Sequence, residues 1–179
     1  MRQALIRHPA SRSSAVTRID ADATRSRGDS LVLRYIVAGK IDTLMLPPAA
    51  APMRADELWR YTCFEAFISA KPDGAYYELN FSPSTEWATY RFTGHRTGMI
   101  AAEIAPARIE VRASDAGFEL QASLELGGLP DLSGGVWRLG LSAVIEDTGG
   151  GKSYWALAHP PGEPDFHHSV CFAAELPAA

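Results

Sequence analysis

The feature that most constrains the fold of this chain is one stretch, residues 59–92: W-R-Y-T-C-F-E-A-F-I-S-A-K-P-D-G-A-Y-Y-E-L-N-F-S-P-S-T-E-W-A-T-Y-R-F. It is rich in aromatic and β-branched residues and alternates in character, which predicts three consecutive strands over 59–69, 75–82 and 86–92. Lys71-Pro72-Asp73-Gly74 has turn chemistry, since proline fixes φ and glycine accepts positive φ, and Ser82-Pro83-Ser84-Thr85 closes a second hairpin. Successive side chains point to opposite faces of a strand. One face collects Phe64, Ala66 and Ile68, then Tyr77, Leu79 and Phe81, then Ala88, Tyr90 and Phe92, and reads as core. The other collects Trp59, Tyr61, Cys63 and Glu65, then Tyr76, Glu78 and Asn80, then Trp87, Thr89 and Arg91. Aromatic rings interleaved with carboxylate, amide and guanidinium suit a surface for a flat or polyhydroxylated ligand.

The rest of the chain repeats the style. Residues 1–14 read as an irregular leading segment. From Ala15 a weak alternation suggests an edge strand, with Arg18, Asp20 and Asp22 on one face to discourage aggregation. Strands are expected over 31–37 and 40–46, followed by an Ala/Pro-rich loop over 47–56. Further strands are expected over 104–113, 118–126, 136–146, 153–159 and 170–176. Loops fall at 93–99, 127–135, 147–151 and 160–168, the last stiffened by three prolines. No segment sustains helical periodicity. About ten short strands with regularly spaced turns predict an all-β, antiparallel β-sandwich forming one domain over 1–179.

Composition narrows the function classes. The net charge is −4, with no basic face, which argues against nucleic acid as partner. No apolar run reaches the length of a membrane span, and the first residues lack the apolar stretch of a secretory signal. A cytoplasmic protein is expected, with Cys63 and Cys171 as free, buried thiols. Gly149-Gly150-Gly151-Lys152-Ser153 lacks the upstream glycine and following helix of a phosphate loop, and no cysteine pair has zinc spacing.

Four segments carry a family resemblance: L-W-R-Y-T-C-F-E-A-F-I, Y-Y-E-L-N-F-S-P-S-T-E-W-A-T-Y-R-F, A-V-I-E-D and S-Y-W-A-L-A-H-P. With them the chain resembles the bacterial DOMON-like proteins, related to the family 9 carbohydrate-binding modules and to the haem- and sugar-binding DOMON superfamily. The resemblance implies a β-sandwich with a ligand site on one face. In the sugar-binding modules a Trp and a Glu six residues later line the site, and Trp59 and Glu65 match that spacing. Those modules hold the sugar between two indoles, so the resemblance implies Trp155, or Trp87, as the second. Arg91 and Asn80 resemble the polar partners of the sugar hydroxyls.

The expected site is therefore Trp59, Glu65, Asn80 and Arg91 on one concave face, with Trp155 or the 159–168 loop, including His159, at its rim. The expected function is non-enzymatic binding of a small molecule, a sugar or sugar-like metabolite, with a protein partner as a further option and no resident cofactor. Two alternatives follow from the same residues. One is an enzyme that uses Glu65 or Glu78 for acid–base chemistry, or a metal held by His159, His167, His168, Glu163 and Asp165. The other is a haem-binding redox module, with Met53, Met99, His95 and His159 as conceivable ligands.

Overall fold

The computed structural model describes residues 2–72, 74–114, 117–132 and 135–178. These fold into two antiparallel sheets. In chain order the strands are β1 (Arg2–Ala4), β2 (Ile6–Arg7), β3 (Val16–Ser26), β4 (Ser30–Gly39), β5 (Cys63–Ser69), β6 (Tyr76–Phe81) and β7 (Trp87–Phe92). They continue with β8 (Ile100–Ala101), β9 (Arg108–Ser114), β10 (Gly117–Glu125), β11 (Trp137–Glu146), β12 (Lys152–Ala156) and β13 (Ala174–Leu176). The smaller sheet runs β1-β3-β4-β10-β9. The larger runs β2-β12-β11-β5-β6-β7-β8, with β13 also paired to β11. The all-β sandwich read from the sequence is the fold. Among the described residues the only helical pieces are single 3-10 turns, and no helix is long and apolar enough to cross a membrane.

The sheets close on the face that the sequence marks as core. Phe64 of β5 stacks on Phe118 of β10 with ring centroids 5.7 Å apart, and Tyr35 of β4 packs on Phe64 at 5.1 Å. The phenol of Tyr35 crosses the interface and donates to the Glu65 carbonyl at 2.6 Å. At one end of the sandwich, Trp137 takes the Arg25 guanidinium over its ring at 3.6 Å and donates its indole N–H to the Leu132 carbonyl. Cys63 and Cys171 are free and buried.

Several segments differ from their sequence reading. The leading segment is ordered: β1 extends the smaller sheet, Leu5 is buried, and β2 extends the larger. Strands of three and two residues are too short to show alternation. On its outer edge β3 pairs with β1 across Asp20–Asp22, and its Ile19 carbonyl accepts from the Leu5 amide. The strand expected over 40–46 is a 3-10 turn, Ile41–Thr43, followed by a lone bridge from Leu44 to Asp147. There the amides of Thr43 and Leu44 bond locally, to the Lys40 and Ile41 carbonyls. The start of the 59–69 segment is likewise a 3-10 turn, Leu58–Arg60. The last predicted strand begins as the turn Ser169–Cys171, capped by His168 Nδ1 accepting from the Val170 amide. Asp73, residues 115–116 and residues 133–134, which fall in expected turns and loops, lie outside the described residues.

The decisive difference is the register of β6 and β7. Phe81 pairs with Trp87, Leu79 with Thr89 and Tyr77 with Arg91, while Asn80 pairs with Ala88, Glu78 with Tyr90 and Tyr76 with Phe92. The connection between Phe81 and Trp87 has an odd length, residues 82–86, so odd residues sit opposite odd ones. Ser82 N–H bonds the Glu86 carbonyl at 2.9 Å and Thr85 takes positive φ (79°) to close the loop. Trp87, Thr89 and Arg91 therefore share a face with Phe81, Leu79 and Tyr77, and Ala88, Tyr90 and Phe92 share the other with Glu78 and Asn80. That reverses the assignment for β7 made from sequence alone. The 47–56 loop covers the exposed edge of β7 near Trp87 by exchanging backbone bonds with it through Met53 and Ala55.

Truncating the ring on which both sheets close tests this packing. Phe64→Ala is expected to cost about 3–5 kcal/mol in urea unfolding, and Tyr35→Phe about 0.5–1.5 kcal/mol from the lost cross-sheet hydrogen bond.

Candidate functional site

The outer face of the larger sheet has an apolar cluster of its own. Cys63 and Phe67 of β5, Tyr76 of β6, Ala88, Tyr90 and Phe92 of β7, and Val144 of β11 pack there under Leu58, Phe166 and Phe172. Within that layer lies a cavity of about 570 Å³. Trp59, Phe92, Tyr154 and Phe166 give it aromatic walls, and Glu65, Glu78, Arg96 and His167 supply its polar groups. Both carboxyl side chains are buried.

Each polar group is placed by its strand. Glu65 stands on β5 opposite Ser142 of β11 and Asn80 of β6, and Ser142 Oγ–H donates to its Oε2 at 3.5 Å. Glu78 Oε1 accepts from Asn80 Nδ2 at 2.7 Å. The Cys63 thiol, kept protonated by burial and by Glu65, reaches Asn80 Oδ1 at 3.6 Å. On the other side, Tyr76 OH accepts from the Arg96 amide at 3.2 Å and meets His167 Nδ1 at 2.8 Å. A phenol that accepts from Arg96 has its own proton to give, so Nδ1 is the acceptor and the ring proton sits on Nε2. Nε2 faces Glu78 Oε2 at 3.7 Å. A chain of donors thus runs from the Arg96 backbone through Tyr76 to His167, which stands beside Glu78 without bonding it, and a second reaches Glu78 from Cys63 through Asn80.

The electrostatics follow from burial. Desolvation, followed by the charge of Glu78, pushes Glu65 well above the usual carboxylate range, against the pull of Ser142 and Arg96. Desolvation also raises Glu78, opposed by Asn80 and Arg96. Burial first, then the charge of Arg96, lowers His167 to about 4. The contact between His167 and Glu78 therefore involves a neutral imidazole at neutral pH and is not an ion pair.

Two covering segments complete the cavity. Residues 93–99 form a tight turn in which Arg96 has positive φ (52°). A Cβ at Gly98 would lie 2.2 Å from Thr93 Oγ1, so that position requires glycine. The turn is fastened to the 160–168 loop through Asp165. Its carboxylate accepts from Arg96 Nε and Nη2 at 3.0 and 2.8 Å and contacts His95 Nε2 at 2.7 Å. Burial opposes ionisation of Asp165, but these bonds hold it below its ordinary range.

Of the residues singled out from sequence, Trp59 and Glu65 line this cavity and Asn80 lies beneath it, bonded to Glu78. Three others lie elsewhere. Arg91 is on the inward side of β7, where its Nε bonds Asp131 Oδ2 at 2.5 Å. Trp155 pairs with Ala143 on the inward face of β12, is buried, and donates to Ser153 Oγ. Trp87, the other candidate second indole, is buried in the same inter-sheet core. His159 is spent on structure: Nε2 meets the Ile6 carbonyl at 2.8 Å and its ring packs edge-on against His8. Sequence reasoning missed Phe92, Tyr154, Phe166 and Arg96 as site residues. Phe92 and Tyr154 follow from strand parity once the hairpin lengths are respected. Phe166 and Arg96 arrive on covering loops, for which no periodic signal exists.

Of the haem ligands conceivable from sequence, Met99 lines this cavity, whereas His95 is bound to Asp165, His159 Nε2 meets the Ile6 carbonyl, and Met53 is exposed outside it. His167, in the same cavity, is bonded at Nδ1 to Tyr76 and faces Glu78 through Nε2. Among the described residues, no three His, Cys, Asp or Glu side chains come close enough to hold a metal ion, so the histidines and carboxylates of the 159–168 loop form no such cluster.

No family model matches the chain, and no curated protein matches it. Two solved structures resemble it to different degrees. A Bacteroides uniformis ATCC 8492 protein, provisionally assigned as carbohydrate-binding, has a TM-score of 0.67. The match covers 96% of this chain and 83% of that one, at 13% identity. A family 9 carbohydrate-binding module from Caldicellulosiruptor kristjanssonii, solved with glucose, has a TM-score of 0.48 at 13% identity. That match covers 83% of this chain and 72% of the module. At such identity the first likeness shows a shared fold, an antiparallel two-sheet sandwich, and the second adds nothing to it.

The shifted groups predict opposite pH responses. His167 is neutral in the fold and charged in the unfolded chain below about pH 6.5, so its stabilisation is lost as pH falls from there to about 4. Substituting Gln should remove a part of the acid sensitivity in that window on the order of 3 kcal/mol. Glu65 is raised, so ionisation of the unfolded chain erodes stability as pH rises above about 4.5. Glu65→Gln should be more stable than the parent at pH 7, with the gain vanishing in acid. Urea midpoints measured between pH 3.5 and 8 check both.

Proposed function

We propose that this chain is a non-enzymatic binding protein that holds a small carbohydrate in the cavity between Trp59, Tyr154 and the two buried carboxyls. The observation that carries this reading is the state of Glu65. It is buried at an aromatic-walled cavity, and among the described residues its carboxyl has one hydrogen bond, the 3.5 Å contact with Ser142. A buried acceptor with capacity to spare is stabilised by hydroxyl donors from a ligand. Indole and phenol faces suit the C–H faces of a sugar ring. Arg96 and Glu78 add a donor and an acceptor on the same cavity. The fold shared with the provisionally carbohydrate-binding Bacteroides protein supports the reading without assigning the ligand.

The carbohydrate enters with its ring against Trp59 and its hydroxyls toward Glu65 and Glu78. The network behind Glu78 holds that carboxyl in one orientation before the ligand arrives, which lowers the ordering cost of binding. Calorimetric titration with glucose, cellobiose and related neutral sugars tests this. One or more should bind saturably. Trp59→Ala should weaken binding at least tenfold while leaving the fold intact, because the indole is outside the inter-sheet core. Glu65→Gln should weaken it by about 1–3 kcal/mol. Arg91→Ala, on the opposite face, should leave affinity unchanged. Failure of every neutral sugar to bind would overturn the proposal, and cleavage of cellobiose during the titration would assign the two carboxyls to acid–base chemistry instead.

A further inference from the structure

A second cavity, of about 360 Å³, lies beside the first on the same sheet face, with His167 as a wall common to both. Its character is different. Lys71, His95, Arg138 and His168 line it together with the hydroxyl-bearing Ser69 and Ser169, and among the described residues no carboxylate lines it. We propose that this cavity is an anion site that takes a phosphate group, either free phosphate or the phosphoryl group of a small metabolite.

Arg138 carries the argument. It stands near the start of β11, opposite Ser69 at the end of β5 and Glu175 of β13, and is half-buried. Among the described residues it forms no ion pair, and its side-chain bond is a 3.3 Å contact from Nη2 to the Phe172 carbonyl. A half-buried guanidinium with no bonded carboxylate keeps donors to spare, and its planar fork matches phosphate oxygens. Lys71 adds a second charge from the β5–β6 turn. That turn is held in place by Ser69, whose hydroxyl bonds the Lys71 carbonyl at 2.6 Å and accepts from the Lys71 amide. His168 Nδ1 accepts from the Val170 amide, so its ring proton is on Nε2 and free to donate. Among the described residues, the nearby carboxylates are Asp165, occupied by Arg96 and His95, Asp131, which is bonded to Arg91 and Tyr77 while feeling the charge of Lys71, and Glu175, which is opposite Arg138 in the ladder but makes no ion pair with it. Two cations, an imidazole N–H and the Ser169 hydroxyl around a space of this size match a tetrahedral oxyanion.

This inference does not rest on the carbohydrate reading, and its test is independent of it. The intact chain is titrated with inorganic phosphate at low ionic strength, followed by ³¹P NMR, with chloride as the control. Saturable one-site binding is expected. Arg138→Gln should weaken it at least tenfold. Lys71→Glu, at an exposed position, should abolish it by itself. Trp59→Ala and Glu65→Gln should bind phosphate as the parent does. A parallel titration with glucose 6-phosphate separates the sources: tighter binding than inorganic phosphate assigns a phosphorylated metabolite, and equal binding assigns the free anion. Absence of saturable phosphate binding, or affinity unaltered by Lys71→Glu, would overturn the proposal.

Discussion

The site on this molecule depends on one constraint, the pairing of β6 with β7 across the 82–86 loop. An odd-length connection sets Phe81 opposite Trp87, and every later residue of β7 inherits its face from that pair. Glu78, Tyr90 and Phe92 are thereby directed outward together, while Trp87, Thr89 and Arg91 are directed into the sandwich. The 147–151 loop does the same between β11 and β12. Glu146 pairs with Lys152, so Val144 and Tyr154 meet on the outer face and Ala143 and Trp155 on the inner one. Two loops of equal parity thus decide which rings wall the cavity and which fill the core.

Onto that frame the chain builds a polar layer at a cost in stability. Glu65 and Glu78 are buried within one small region of the sheet, where each ionises reluctantly. A core of equal volume made from leucine would be more stable. The carboxyls persist in a sheet face otherwise packed with Phe67, Tyr76, Tyr90 and Phe92. Loss of stability at positions that face a cavity is the expected signature of a binding site. The Asn80 amide, donating to Glu78 at 2.7 Å, fixes its geometry, whereas Glu65 remains open to the cavity.

Much of the fold was legible in the sequence, because period-two alternation is a direct image of a half-buried strand. The inward face of β5 and β6, the alternation of β10 and the apolar side of β11 could all be read by position. Trp59, Glu65 and Asn80 came from the same reading, since they lie on strands, or the turn before one, whose core face is unambiguous. Arg91 and Trp155 were misplaced for a physical reason. Face assignment by residue type fails where the inward side of a strand carries Arg91, neutralised by Asp131, which also accepts from Tyr77, or a tryptophan that serves as core. Hairpin parity was the signal that would have corrected both. Arg96 and Phe166 were not legible, because their positions come from the Asp165 fastening between two loops, a contact between residues 69 and 70 apart in sequence.

The central claim is that the ligand face is the outer side of the larger sheet, with Trp59 the one tryptophan that meets the ligand. The chain has four tryptophans, so ¹H–¹⁵N spectra carry four indole signals that can be followed during a titration with a binding sugar. Trp87, Trp137 and Trp155 are all buried in the inter-sheet core. The account predicts that the Trp59 indole resonance moves with saturation while the other three stay close to their free positions. A shift at Trp155 or Trp87 with Trp59 unmoved would contradict it.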